Sequence, residues 1–310
     1  MFCIIAFIVL AILGIFSATN RQLAKDALDC VLRRVTLRPC NTGFDEKMKA
    51  RILGSVITRS ETAARVLNNN FELLSWIFFV MMLASSIWTV RGLFLFYTTG
   101  SCNGLNQDAF CVFDPQGANN QVSGITAPCT VKPKTVSDLT LKGIDLSTFP
   151  VKNQGSQAKI VFIGCYACDY TRKAYPLIMQ LVSKFDVELT FADYPTKEKT
   201  DYLSKVDYCV YRQDQDKFWK LNNSLFATDK SNLDNTDYVN QLIGGLGLDV
   251  SKTDACIADP QTETAVQSQF RQIEKTNFFG TPTIFINGAP LVGPKPYRVY
   301  AIMLRGLWYW

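Results

Sequence analysis

Two thiols two residues apart end an apolar run in the stretch KIVFIGCYACDYTRKAYPLI, residues 159–178. Cysteines at this spacing can form half of a metal site, a redox-active dithiol, or a pair of inert core thiols. The chain of 310 residues contains no histidine. That removes imidazole ligation of zinc, copper or haem, and every Ser/His or Cys/His catalytic arrangement. Ten cysteines remain, so covalent or redox chemistry falls to thiols. A zinc ribbon needs a second pair at similar spacing, which the other cysteines do not supply. A cysteine in the first turn of a helix faces unpaired backbone N–H groups and the positive end of the macrodipole, and both favour thiolate. A second cysteine three residues on lies about one turn away, within reach of a disulfide.

The flanking pattern supplies such a helix. AKIVFIG is a short β-branched and aromatic run suited to a buried strand. Asp169 to Lys184 then reads as a helix with Ile178, Leu181 and Val182 on its apolar face, and Pro176 should kink it. DVELTFADYP is a second strand, residues 197 to about 276 are largely helical, and TPTIFING gives a third strand and a turn. Alternation of this kind argues for an α/β layer fold.

Upstream, the texture is that of a membrane protein. Residues 2–18 are uncharged and apolar, just long enough to span a hydrocarbon core of about 30 Å. They lack the basic start and clean cleavage site of a signal peptide. A longer run over residues 73–97 carries Trp76, Trp88 and Tyr97, as interfacial belts do, with Arg91 placed to snorkel. Lys and Arg crowd the intervening loop from Arg21 to Arg65, whereas none occurs from Thr98 to Val131. The positive-inside rule puts the loop in the cytoplasm and everything after Tyr97 outside. Within the loop, residues 44–70 have helical spacing and suggest an amphipathic helix along the inner surface, ended by Asn68–Asn70. Residues 98–153 read as an extracytoplasmic, cysteine-containing linker. No basic patch interleaved with aromatics points to nucleic acid.

From Ala158 to Leu304 the sequence resembles the DsbA-like branch of the thioredoxin-fold thiol oxidoreductases. The resemblance rests on IVFIGCYACDYTRKAYPLI, DYCVYRQDQDKFWKLNNSLF, IGGLGLDVSKTDACIADPQTETAVQSQF and FFGTPTIFINGAPLVGPKPY. It implies a thioredoxin fold over residues 154–310 with a helical insertion at about 197–276, preceded by a membrane region (1–97) with two transmembrane helices. It makes Cys165 the exposed attacking sulfur and Cys168 its buried partner. Thr281-Pro282 becomes a cis pair facing them, so that Thr281, Pro282, Tyr166 and Ala167 form the substrate side. Family members often have Pro-His or Pro-Tyr between the cysteines. Here Tyr166-Ala167 removes a positive charge and Asp169 adds a negative one, and both changes should raise the thiol pKa.

Outside the cytoplasm, Cys209–Cys256 in the insertion and Cys102–Cys111 in the linker are candidate structural disulfides. Cys129 is left over. Cys30 and Cys40, in the loop, are expected to be reduced, and Cys3 to pack within the first span. The expected function is a membrane-tethered oxidoreductase of the cell membrane, its catalytic domain extracytoplasmic. It exchanges disulfides with extracytoplasmic proteins, needs no organic cofactor or metal, and depends on a separate redox partner protein. The competing reading is a Cu(I)-binding or protein-binding thioredoxin module without turnover, since soft thiolates suit Cu(I).

Overall fold

A computed structural model describes residues 18–35, 44–58, 60–107, 109–124, 135–196 and 200–307. They divide into two compact units, residues 1–90 and 91–310. In the first, α1 (Ala18–Val35), α2 (Phe44–Ile57) and α3 (Glu61–Asn69) follow one another. The single amphipathic helix expected over residues 44–70 is thus two helices. Ser60 starts the second by accepting the Ala63 N–H at 3.3 Å, with Glu61 in the first turn, and Asn70 caps its end. Cys30 on α1 is buried and disulfide-bonded, not reduced as expected, and its partner lies outside the described residues.

Helix α4 (Phe71–Thr99) is 29 residues long and buries none of them. At about 1.5 Å per residue it exceeds the thickness of a hydrocarbon core. The hydroxyls of Ser75, Ser86, Thr89, Thr98 and Thr99 bond back to carbonyls four residues earlier, so these groups are satisfied within the helix. Among the described residues it is the one helix long and apolar enough to cross a membrane. The first expected span, residues 2–18, lies outside the described residues apart from Ala18.

The second unit is built on a five-stranded sheet. Its strands are β2 (Val151–Lys152), β3 (Ala158–Gly164), β4 (Val187–Asp193), β6 (Thr283–Ile286) and β7 (Ala289–Val292), in the order β2-β4-β3-β6-β7. Strands β3 and β4 are parallel, joined by the crossover helix α5 (Asp169–Lys184), and the other pairs are antiparallel. Period-two alternation on β3 feeds two cores. Ile160 and Phe162 face α5, the insertion and α11 (Tyr297–Arg305), whereas Val161 and Ile163 face a smaller core with Leu139, Phe149 and Phe285.

Between β4 and β5 (Gly280–Thr281) lies the helical insertion: α6 (Asp201–Gln213), α7 (Gln215–Ala227), α8 (Thr236–Gly245), α9 (Val250–Ala258) and α10 (Pro260–Glu274). Local chemistry sets its boundaries. Asp214, Asn235, Asp249 and Asp259 each cap the following helix with a side-chain acceptor, and Pro260 begins α10, where its missing N–H costs nothing. A disulfide joins Cys209 on α6 to Cys256 on α9, and another joins Cys102 to Cys111.

The segment after α4 packs along the sheet edge. Asn106 bridges the β7 edge, its amide donating to the Pro290 carbonyl and accepting the Val292 N–H, both at 2.9 Å. The segment ends in β1 (Ser123–Gly124), which pairs antiparallel with β5 in a second, two-stranded sheet.

Candidate active site

The chain leaves β3 at Gly164 and makes one turn before α5 begins. The Cys168 N–H donates to the Cys165 carbonyl at 3.1 Å, closing a four-residue turn. Cys168 is the N-cap of α5: its Sγ accepts the Thr171 N–H at 3.5 Å, and its carbonyl accepts the Arg172 N–H at 3.0 Å. The thiol at the positive end of the helix is therefore Cys168. Cys165 is buried on the strand side of the turn, with its N–H donating to Thr171 Oγ1 at 3.4 Å and its Sγ 3.9 Å from Thr200 Oγ1. It is not the exposed sulfur the resemblance implied.

Cys168 is buried too. In its thiol form Sγ donates towards Ser123 Oγ at 3.1 Å and the Thr281 carbonyl at 3.3 Å. Burial pushes this thiol up, but hydrogen bonds with the Ser123, Thr171 and Thr281 side chains and from the Thr171 N–H outweigh it and hold it below the ordinary cysteine value. The negative charge feared at Asp169 is taken up by Lys230 at 2.7 Å.

Thr281-Pro282 is a cis peptide bond beside this sulfur. Thr281 is buried, its hydroxyl 3.0 Å from that of Thr196 and its backbone in register with Ser123. Tyr166 is not on a substrate surface. It lies in the core among Phe191 and Phe226, donates to the Asp207 carboxylate at 2.8 and 2.9 Å, and accepts from Asn222 at 2.7 Å. Ala167 is half-buried against the same core. Apolar packing wins because a tyrosine ring buries a large area once its hydroxyl finds a partner.

Beneath the turn is a group of buried carboxyls. Asp193, opposite Gly164 at the end of β4, accepts from Ser204 at 2.6 Å, and its Oδ1 has no hydrogen-bond partner among the described residues. Burial pushes Asp193 up to about 7, and pushes Asp207 well up with the Asp193 charge adding to it.

Sequence reasoning missed Arg172 and Ser123. Arg172, one turn into α5, donates to the carbonyls of Tyr166 (2.6 Å), Thr228 (2.6 Å) and Leu225 (3.3 Å), tying the turn to the insertion, and its charge faces Cys165. Its place four residues after Cys168 was the available signal. Arg172→Met should cost about 3 kcal/mol, because three carbonyls lose a charged donor in a partly buried place. Urea unfolding checks this, and a loss below about 1 kcal/mol would mean that water replaces the guanidinium.

Among the described residues no three Cys, Asp or Glu side chains cluster as a metal site. The two sulfurs have separate surroundings, Cys165 beside Thr200 and Cys168 beside Ser123 and Thr281.

Residues 154–301 match the family model described as Thioredoxin. No curated protein matches the chain significantly. Among solved structures, a thioredoxin-like oxidoreductase from Silicibacter pomeroyi is 21% identical, covering 49% of this chain and 87% of its own, with a TM-score of 0.44. The thiol-disulfide exchange protein alpha-DsbA2 from Wolbachia pipientis is 20% identical (49% and 83% covered, TM-score 0.43). BdbD from Bacillus subtilis is 18% identical (51% and 89% covered, TM-score 0.43). With its β3-α5-β4 crossover, the cis-proline strand and the five-helix insertion before it, the region from residue 154 to 301 matches the thioredoxin family model and has a thioredoxin fold.

Proposed function

We propose that this domain is a thiol–disulfide oxidoreductase in which Cys168 is the first sulfur and Cys165 the second. One observation carries the reading: the Cys168 thiol, held below its ordinary pKa at the N-cap of α5, lies 3.3 Å from the backbone of Thr281 on a strand edge. A polypeptide added to that edge would bring its own sulfur to Cys168. In the reducing direction the Cys168 thiolate attacks a substrate disulfide, forming a mixed disulfide and releasing one substrate thiolate. The Cys165 thiolate then attacks Cys168 Sγ, forming Cys165–Cys168 and releasing the second substrate thiolate. Oxidation of a dithiol runs the same steps backwards. The end groups of a closed four-residue turn lie within disulfide range after rotation about their side chains. Tyr166 and Ala167 then shape the turn from beneath, with Thr281 and Pro282 on the substrate side.

In this reading α4 tethers the domain, the substrates are extracytoplasmic proteins, and a separate protein resets the pair. The Lys and Arg distribution supports an outward domain, while the Cys30 disulfide pulls against a cytoplasmic loop, because cytosolic thiols are kept reduced. Protease added to intact cells should remove the domain; its protection would reverse the topology.

The chemical test is exchange with a reduced or scrambled protein in glutathione buffer. Cys168→Ser should lower the rate by at least about a hundredfold, whereas Cys165→Ser should accumulate mixed disulfides through Cys168. Mixed disulfides through position 165 in the Cys168→Ser protein would restore the opposite roles. Equal rates in all three would remove the oxidoreductase reading.

A further inference from the structure

The strand edge assigned above to a substrate is already taken by this chain. Ser123 lies opposite Thr281 and Gly124 opposite Gly280, in an antiparallel ladder at the residues that precede the cis-proline. The Ser123 hydroxyl stands 3.1 Å from Cys168 Sγ, where a substrate cysteine would bring its sulfur. No Cβ fits between the two backbones: one added at Gly280 would meet the Ser123 carbonyl oxygen at 2.7 Å. The fit recurs at Gly293, where a Cβ would be 2.6 Å from the Asn120 carbonyl carbon.

We propose that residues 121–124 are a built-in, displaceable occupant of the substrate edge, a serine-bearing mimic of the polypeptide that Cys168 attacks. The inference rests on the oxidoreductase reading and adds that the folded enzyme is latent until this strand leaves. Its holding is largely polar, with Val122 resting half-buried against the smaller core. The Lys295 ammonium, buried, donates to the Asn119 carbonyl at 2.8 Å and to the Asn120 side chain. The Asp114 carboxylate accepts the N–H groups of Ala118 (2.9 Å) and Asn119 (3.1 Å). Of the four strand residues Ser123 alone is buried, Val122 is half-buried, and Gln121 and Gly124 are exposed. A two-residue ladder with one buried side chain belongs to the part of a fold that opens locally without unfolding the rest. A substrate strand offers Thr281 the same backbone bonds and, in place of the serine hydroxyl, a sulfur that reacts.

The test reads access to Cys168, not turnover. The reduced full chain in detergent is treated with iodoacetamide and Cys168 labelling is followed by peptide mass spectrometry. In the unaltered protein labelling should be at least about tenfold slower than in the urea-unfolded chain, because the sulfur is covered. Asp114→Ala and Lys295→Met should each speed it by about tenfold, as expected for losing a charged hydrogen bond that holds the turn leading into the strand. Asp114 lies outside the domain core, so its variant decides the matter if Lys295→Met fails to fold. Labelling of the unaltered protein at the unfolded-chain rate, or unchanged labelling in folded Asp114→Ala, would overturn the proposal. Faster labelling without exchange activity would uphold the strand's role and sink the oxidoreductase reading instead.

Discussion

Replacing Cys209 and Cys256 together by serine should destabilise the second unit by about 4 kcal/mol. The disulfide spans 47 residues of sequence, and a loop of that size restricts the unfolded chain strongly. It also falls where the fold needs it. Helices α6 and α9 come from distant parts of the insertion, and polar contacts through Gln213, Asp249 and Thr253 join them as well. The measurement is thermal unfolding of the double variant beside the parent, with a midpoint lower by about 10 °C for a unit of this size. Dithiothreitol should lower the parent's midpoint comparably. A shift below about 2 °C would mean that the insertion's apolar core alone sets its stability.

The second large effect concerns pH. Burial pushes the Asp193 carboxyl up to about 7 in the folded domain, so between about pH 4 and 7 the folded state should hold a proton that the unfolded chain has released. Stability is then full below that window, falls as pH rises through it, and is flat above. The loss for this group should be about 4 kcal/mol. Asp193→Asn keeps a carbonyl for the Ser204 hydroxyl and removes the charge, so it should be more stable than the parent at pH 8 and closer to it at pH 5. Asp207, pushed up by the same burial, should leave a residual slope that disappears in the double asparagine variant. Urea midpoints at the two pH values decide this. An unchanged slope in Asp193→Asn would mean that the carboxylate finds water its surroundings do not suggest.

Much of this architecture was legible because its signals are local. The strand at AKIVFIG, the helix from Asp169 to Lys184 and the helical insertion each follow from short-range pattern and capping chemistry. The helix boundary already contained the capping role of Cys168: a helix that starts at Asp169 has Cys168 as its cap, and an acidic first residue is what such a start prefers. The resemblance, read at the Cys-x-x-Cys spacing, drew the attacking role to Cys165. Tyr166 misled for a different reason. A residue between two cysteines suggests a surface, yet the turn rotates it into the aromatic core, where Asp207 and Asn222 satisfy its hydroxyl. The β1–β5 pairing was illegible in principle. Two residues have no period, and their partners lie more than a hundred positions along the chain.

The close approaches at Gly280 and Gly293 offer a way to recognise the same arrangement elsewhere. Each position admits the covering segment because it lacks a methyl group, and each would reject it, by backbone collision, if it carried one. At Gly293 a positive φ of 78° also penalises any replacement, whereas at Gly280 the objection is space alone. Alanine at 280 thus becomes a diagnostic letter: a related sequence that carries it could keep the domain but not the tucked strand. Glycine just ahead of the Thr-Pro pair, with a serine or cysteine some 150 positions upstream, would mark chains able to store their own active site under cover. The two positions divide such proteins by the presence of a single carbon atom.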